Sequence, residues 1–181
     1  MDSKQTAPAA TKPSTNTYTL CAKIKPGELE NIRKVAKAAV EGGAWGAGSD
    51  VLGILHFERF FILNDTYLVF TSDFDGDDDS YLSDFYSMEI TPGPSFGLFN
   101  AAWKYTEGWP PPGDRDAFIK FWKDNKVEEL VTYSYYPGVT AKEVRKALRV
   151  QKAFQSVLDE PGAAEALKHP ALKALLAEAA D

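Results

Sequence analysis

The amino-acid sequence predicts an α+β fold, with one antiparallel sheet and helices packed on a single face of it. Two observations predict this class. Segments in which apolar and polar residues alternate, typical of half-buried strands, are separated by segments whose apolar residues recur every three or four positions, typical of helices. Their order along the chain is βαββαβ, followed by further helical segments. The length of 181 residues fits one core with extensions.

Composition narrows the class of protein. Hydrophobic residues make up 44% of the chain and aromatic residues 13%, which is typical of a globular protein with an aromatic surplus. The net charge of -6 disfavours nucleic acid and anionic membrane surfaces as partners. The single cysteine, Cys21, excludes an internal disulfide framework, and no apolar run approaches the ~20 residues of a membrane span. We therefore expect a cytoplasmic protein that binds neither nucleic acid nor membrane.

The N-terminal third predicts a tail, a strand and a helix. Apart from Met1, residues 1–16 contain no large apolar side chain, and they are expected to be a disordered tail. Alternation over residues 17–25 predicts the first strand. Apolar residues at helical spacing predict a helix over residues 29–40, after which a glycine-rich connection runs through Ser49.

The middle of the chain predicts a hairpin and a second helix. Residues 54–63 are strongly apolar and aromatic, and the turn formers Asn64 and Asp65 separate them from a second strand over residues 67–74. The aspartates at 77–79 precede a short aromatic helix, where carboxylates favour the positive helix end.

The remaining segments complete the predicted domain over residues 17–138. Residues 91–113 are rich in proline and aromatic residues and predict an ordered loop insertion with one short helix, a candidate lid. Asp114 is a candidate cap for the next helix, and residues 130–136 are expected to form the fourth strand. A C-terminal helical extension occupies residues 139–181, with one long amphipathic helix and two short ones.

This element order predicts a ferredoxin-like sheet whose open face must be covered, most simply by a second copy of the chain. Over residues 17–138 the chain resembles the dimeric α+β-barrel superfamily. Residues 24–27 (IKPG), 56–60 (HFERF) and 70–76 (FTSDFDG) also resemble bacterial members associated with peroxidase-type proteins. The resemblance implies a homodimer with a cavity for a hydrophobic or aromatic small molecule. Because the superfamily includes haem peroxidases, chlorite dismutase-like proteins, quinone-forming monooxygenases and cofactor-free cyclases, it does not select the chemistry.

His56 and Arg59 are candidate catalytic and cofactor-binding residues. His56 can ligate haem iron or act as a general base, or it is an ordinary hydrogen-bonded strand histidine. Strand alternation places His56 with Glu58 on one face and Arg59 on the other, so a joint site requires a bulge. Arg59 can hold a carboxylate, a haem propionate or a peroxide oxygen, or it forms a salt bridge to Asp73 or Asp75.

Tyr133 and Tyr135 are the other candidate catalytic residues. Together with Tyr136 and Tyr18 they can line a pocket and donate hydrogen bonds to a carbonyl or phenol. Tyrosines also pack at the edges of dimer interfaces, and the sequence leaves both roles open.

Three further features of the sequence have smaller expected roles. The acidic run over residues 73–84 has the spacing of calcium ligands but lacks the loop glycine, so we expect a helix start and no metal site. Cys21 has no histidine near it in the sequence and is expected to be an inert thiol. His169 is a fallback haem ligand.

These observations favour an enzyme that acts on a hydrophobic or aromatic molecule by a haem- or oxygen-dependent oxidation. In this hypothesis His56 is the axial ligand or base, Arg59 anchors an anion, and Tyr133 and Tyr135 orient the substrate. The alternatives are a cofactor-free cyclase or isomerase, in which His56 or a tyrosine moves a proton, and a non-catalytic binding or assembly partner of a larger enzyme. No phosphate loop, dinucleotide fingerprint or serine elbow occurs in the sequence.

Overall fold

The computed structural model describes residues 15–93 and 97–179. The chain divides into two compact units, Met1–Ala141 and Lys142–Asp181. The strands and helices along the chain are β1 (Thr15–Lys23), α1 (Leu29–Glu41), α2 (Ala44–Leu52), β2 (Leu55–Leu63), β3 (Tyr67–Asp75), α3 (Asp78–Ile90), α4 (Leu98–Trp103), α5 (Arg115–Asp124), α6 (Ala141–Leu158), α7 (Ala164–Leu167) and α8 (Lys173–Glu178). Short 3₁₀ turns at Pro161–Ala163 and Pro170–Leu172 precede α7 and α8.

The sheet of the first unit has three antiparallel strands in the order β1-β3-β2. The predicted hairpin is confirmed: β2 and β3 pair directly, and Asn64 and Asp65 make the turn with φ of 52° and 50°. Two consecutive positive φ values are those of a type I′ turn, whose twist matches that of the flanking strands. The mixed α and β composition and the antiparallel pairing agree with the predicted class.

An aromatic core fills the helix-covered face of the sheet. Trp122 of α5 lies at its centre, with ring centroids 5.7 Å from Phe70 of β3 and 5.4 Å from Phe85 of α3. The Tyr18 ring of β1 packs 5.6 Å from the same indole, and its hydroxyl donates to the Trp122 carbonyl oxygen at 2.9 Å. Burial of large rings on one face explains why helices cover that face. On the other face of β2, Phe57, Phe61 and Leu63 are exposed.

The glycine-rich connection predicted after α1 is wrong, because residues 44–52 form helix α2. Trp45 of this helix packs against Phe60 of β2 and Phe70 of β3, with centroid distances of 5.2 and 6.4 Å. Tertiary burial of one indole ring therefore outweighs the low helix propensity of the glycines around it.

The predicted fourth strand over residues 130–136 is not observed. The chain after α5 pairs with β1 only at its first residues, where the Cys21 N–H donates to the Asn125 oxygen and the Val127 N–H donates to the Thr19 oxygen. Beyond Val127 the segment leaves the edge of the sheet. This bridge lies on the side of β1 opposite β3, the position expected of a fourth strand in a ferredoxin-like sheet, but the full βαββαβ pattern is not formed.

Two predicted helix starts are confirmed by their caps. Asp77 accepts from the Ser80 N–H at 3.0 Å at the start of α3, and Asp114 accepts from the Ala117 N–H at 2.9 Å at the start of α5. These carboxylates satisfy backbone donors that have no partner inside the helix.

The predicted insertion over residues 91–113 contains α4, and its residues 94–96 lie outside the described part of the chain. Thr106 forms a β-bridge with Ile24, and the Glu107 N–H donates to the Lys23 oxygen at 2.8 Å. Backbone hydrogen bonds therefore join the insertion to the end of β1. The predicted tail lies outside the described residues except Thr15 and Asn16, which belong to β1.

The second unit contains the predicted long amphipathic helix and two short helices. α6 ends at Leu158, and the interruption at Pro170 separates α7 from α8, as the sequence predicts. Within the described residues, no helix has both the length and the apolar character needed to cross a membrane.

Candidate functional site

A β-bulge at the start of β2 positions His56. Leu55 pairs with Phe74 and Phe57 pairs with Asp73, so two steps along β2 match one step along β3. His56 is the extra residue, and a bulge redirects the side chain of such a residue. Strict alternation would place His56 and Phe57 on opposite faces, whereas here both line one cavity. The predicted face of His56 is corrected accordingly.

The imidazole of His56 is held by a carboxylate. Its Nε2 lies 2.9 Å from Oδ1 of Asp75, and the side chains are 3% and 13% exposed. The other oxygen of Asp75 accepts from the backbone N–H of Ala141 at 2.8 Å, and the Tyr136 ring lies 5.8 Å from the imidazole. Because a carboxylate only accepts, the bond to Asp75 requires a proton on Nε2, so in the neutral imidazole the lone pair is on Nδ1.

The cavity beside this pair has a volume of about 510 Å³, within the range of small-molecule sites. Aromatic rings and hydroxyl groups dominate its lining. The lining residues are Thr15, Asn16, Thr17, His56, Phe57, Asp73, Thr132, Tyr133, Ser134, Tyr135, Tyr136 and Pro137. The Thr15 hydroxyl is buried and has no hydrogen-bond partner among the described residues.

The segment that was expected to be the fourth strand forms one wall of the cavity. Glu129 accepts hydrogen bonds from the hydroxyls of Thr17 and, at 2.6 Å, Thr19. The Thr132 hydroxyl lies 3.4 Å from that of Thr17. Thr17 and Thr19 alternate along β1 with the buried Tyr18 and Leu20, so their side chains point to the open face of the sheet. The bonds thus hold the segment over that face instead of along the sheet edge.

Asp73 is the titratable group in the cavity with a shifted pKa. Partial burial raises the pKa of this carboxyl, and the negative charge of Glu129 acts in the same direction. The positive charge of Arg59 lowers it, but burial dominates.

Comparisons with known proteins add little to this geometry. No family model matches the chain, and no curated protein matches it. Two solved chains match the structure. One is the tetracenomycin F2 cyclase of Streptomyces glaucescens, a type-II polyketide cyclase, which is 13% identical with a TM-score of 0.40. The match covers 67% of this chain and 99% of that chain. A similarity this weak supports no argument about function, and the resemblance to peroxidase-associated proteins stays a prediction.

The structure brings three of the four predicted site residues to one cavity. His56, Tyr133 and Tyr135 all line it, with the two tyrosines 82% and 85% exposed at its rim. Arg59 is not among the lining residues, although its charge acts on Asp73. Tyr18, which was expected to join the pocket, instead lies in the core with its ring 1% exposed.

Apart from Asp73, the acidic run lies outside the cavity lining, as do Cys21 and His169. Asp78 and Asp79 pair with Lys126 and Lys123, the latter at 2.7 Å, so the acidic run stabilises the start of α3. The described residues contain no group of three acidic, histidine or cysteine side chains suited to a metal ion. Burial raises the pKa of Cys21, which favours the unreactive thiol. His169 accepts from the Ala171 N–H at 3.2 Å through its Nδ1.

Sequence reasoning missed the carboxylates that complete the site. Asp73 and Asp75 were treated only as possible partners of Arg59 or as part of an acidic run. Their spacing of two in a strand, which places both on one face, was the signal that could have revealed them.

Proposed function

We propose that the first unit is an enzyme that binds a small aromatic or carbonyl-bearing molecule in the cavity and transfers a proton with His56, without a cofactor. The observation that carries this proposal is the 2.9 Å bond between His56 Nε2 and Asp75 at the cavity lining. A histidine whose tautomer is fixed by a carboxylate is the usual arrangement of a general base.

The chain's own residues supply each part of the proposed reaction. Asp75 orients the imidazole and stabilises it after it gains a proton, while Nδ1 accepts the proton from the substrate. Tyr133 and Tyr135 provide aromatic surface and hydroxyl donors at the rim. The low exposure of His56 keeps water from competing for the proton.

Deuterium exchange of a ketone tests the proposal. We expect the protein to accelerate exchange at the acidic carbon of 2-tetralone in D₂O, followed by NMR. The His56→Gln variant, whose amide can still donate to Asp75, is expected to lose about 100-fold or more of the rate. His169→Gln, the matched change at the only other histidine, should retain full activity. Equal rates in both variants would rule out His56 as the base.

Haem binding by His56 and Arg59 remains the competing prediction. The Nε2 of His56 already bonds to Asp75, so ligation needs Nδ1 or a broken bond, and Arg59 does not line the cavity. This arrangement gives proton transfer the better support. A Soret band that appears on adding hemin and disappears in His56→Gln would instead support a haem-dependent oxidation.

We also propose that a second copy of the chain covers the open face of the sheet. Phe57 is 59% exposed there, and Phe61 and Leu63 are each 43% exposed. Exposed large apolar side chains on one face of a sheet, here on both sides of Arg59, are typical of an interface. We expect a dimer by light scattering that Phe61→Glu dissociates. Val40→Glu, at an exposed valine of α1, is the control and should leave it intact. A monomeric wild-type protein would contradict the dimer.

A non-catalytic role is the remaining alternative. Retained binding of aromatic molecules without any ketone exchange by the wild-type protein would favour it. Co-purification with a larger enzyme would then identify an assembly partner.

A further inference from the structure

The charge of the cavity limits what it can bind. Among its described lining residues there is no lysine or arginine, whereas Asp73 is part of the lining. Asp75 lies behind His56, and Glu129 is bonded to the wall through Thr17 and Thr19. Arg59 is the cation whose charge reaches Asp73. Among these groups, the carboxylates of Asp75 and Glu129 outnumber the cation Arg59 even when Asp73 is protonated, so their field opposes an anionic ligand.

Asp73 lies between two other residues that line the cavity. It lies on the central strand β3, where it pairs with Thr17 of β1 on one side and Phe57 of β2 on the other. All three residues line the cavity, as does His56, the bulged neighbour of Phe57. A ligand that contacts His56 therefore lies over the strand that carries Asp73.

We propose that the cavity selects an uncharged ligand with a ketone or phenol oxygen and that Asp73 is a second catalytic residue, which donates a proton to that oxygen. This inference rests on the proposed function of His56 and names its substrate class and its acid partner.

The two residues divide one balanced step. His56 Nδ1 takes the proton from the carbon next to the carbonyl, and the electron pair of the broken C–H bond forms the new carbon–carbon double bond. The carbonyl π pair moves to oxygen, which receives the proton of Asp73. The product is the neutral enol, and the reverse step restores both residues.

The surroundings of Asp73 support this role. Burial raises the pKa of the carboxyl, and Glu129 reinforces that shift, so Asp73 keeps its proton to a higher pH than a solvent-exposed aspartate does. The positive charge of Arg59 acts in the opposite direction. A carboxylic acid kept neutral by its environment is an effective donor to a developing enolate oxygen.

Two aromatic probes of matched size test the substrate class. We expect 2-naphthol to bind the wild-type protein at least about tenfold more tightly than 2-naphthoate by calorimetry at pH 6, because the carboxylate meets a field of like charge. Equal or tighter binding of 2-naphthoate would overturn the selection of uncharged ligands, while leaving the cavity and His56 in place.

Asp73→Asn tests the acid. The amide donates a hydrogen bond but cannot give up a proton, so we expect 2-naphthol affinity to stay within about threefold while 2-tetralone exchange falls by about tenfold to 100-fold. Asp116→Asn, at an exposed aspartate of α5, should change neither. Unchanged exchange in Asp73→Asn, together with loss in His56→Gln, would refute the role of Asp73 alone. If the wild-type protein neither binds the probes nor exchanges the ketone, the proposed function fails together with this inference.

Discussion

Glu89 gives the free energy of unfolding a pH dependence that one substitution can remove. This residue of α3 is 7% exposed, and its carboxylate accepts from the backbone N–H groups of Phe99 at 3.1 Å and Asn100 at 3.0 Å. Both donors belong to the first turn of α4. Burial raises the pKa of Glu89 from 4.5 to about 7, although the two hydrogen bonds favour the ionised form.

The sign of the effect follows from proton binding. Between pH 4.5 and about 7 the folded protein keeps the Glu89 proton, whereas the unfolded chain has released it. The free energy of unfolding therefore falls as pH rises, by about 1.4 kcal/mol per pH unit. Over the whole interval this amounts to at most about 3 kcal/mol. The contribution is complete below the unfolded pKa and is lost above the folded one.

Glu89→Gln removes this titration and keeps the size of the side chain. We would measure urea unfolding of both proteins from about pH 5 to about pH 8. The wild-type free energy minus that of the variant should fall by about 2 to 3 kcal/mol up to pH 7 and then level off. Glu41→Gln, at an exposed position of α1, controls for the loss of a carboxyl and should give no such slope. Parallel pH curves for Glu89→Gln and wild type would refute the argument.

Three further substitutions test the core and a helix cap by urea unfolding. Tyr81→Phe leaves the buried Ser72 hydroxyl without its partner and should lower the free energy of unfolding by about 1 to 3 kcal/mol. Adding Ser72→Ala should restore a part of this loss, because the unpaired hydroxyl is then removed. If the losses of the two single variants simply add in the double variant, the two residues are not coupled. Trp122→Ala should lower the free energy of unfolding by about 3 to 5 kcal/mol, because it leaves a cavity at the centre of the aromatic core. A loss under about 1 kcal/mol would show that the core collapses into that cavity. Asp114→Ala should lower the free energy of unfolding by about 1 kcal/mol, because it removes the cap of α5. Asp116→Ala, two residues later in the first turn of α5, removes no capping bond and should lower it clearly less. Equal losses in the two variants would exclude capping by Asp114.

Local patterns predicted most of the elements, since neighbouring residues alone determine them. The alternation that predicts β1, the turn pair Asn64 and Asp65, and the capping aspartates Asp77 and Asp114 each act within a few residues of the chain. Helix α2 is different, because its glycines argue against a helix and only the packing of Trp45 on the sheet decides for one.

The candidate site was predicted only in its residue types. His56, Tyr133 and Tyr135 were singled out because imidazole and phenol groups suit proton transfer and ligand orientation. Their meeting in one cavity depends on the bulge in β2 and on the segment after Val127, which follows the open face of the sheet. The spacing of Asp73 and Asp75 indicates that they share one face of β3, but the contact of Asp75 with His56 depends on the register between β2 and β3, which local spacing does not give.

The α+β class, the hairpin and the order of most elements can be predicted from the amino-acid sequence, because periodicity and turn chemistry are local. The register of β2 against β3, and therefore the side to which His56 points, depends on contacts between strands that are distant in the sequence. A shift of one residue reverses the face of a strand side chain, and that shift depends on pairing with β3. The path of residues 128–137 was also a tertiary outcome, because side-chain bonds from Thr17 and Thr19 to Glu129 replaced the backbone ladder of a fourth strand.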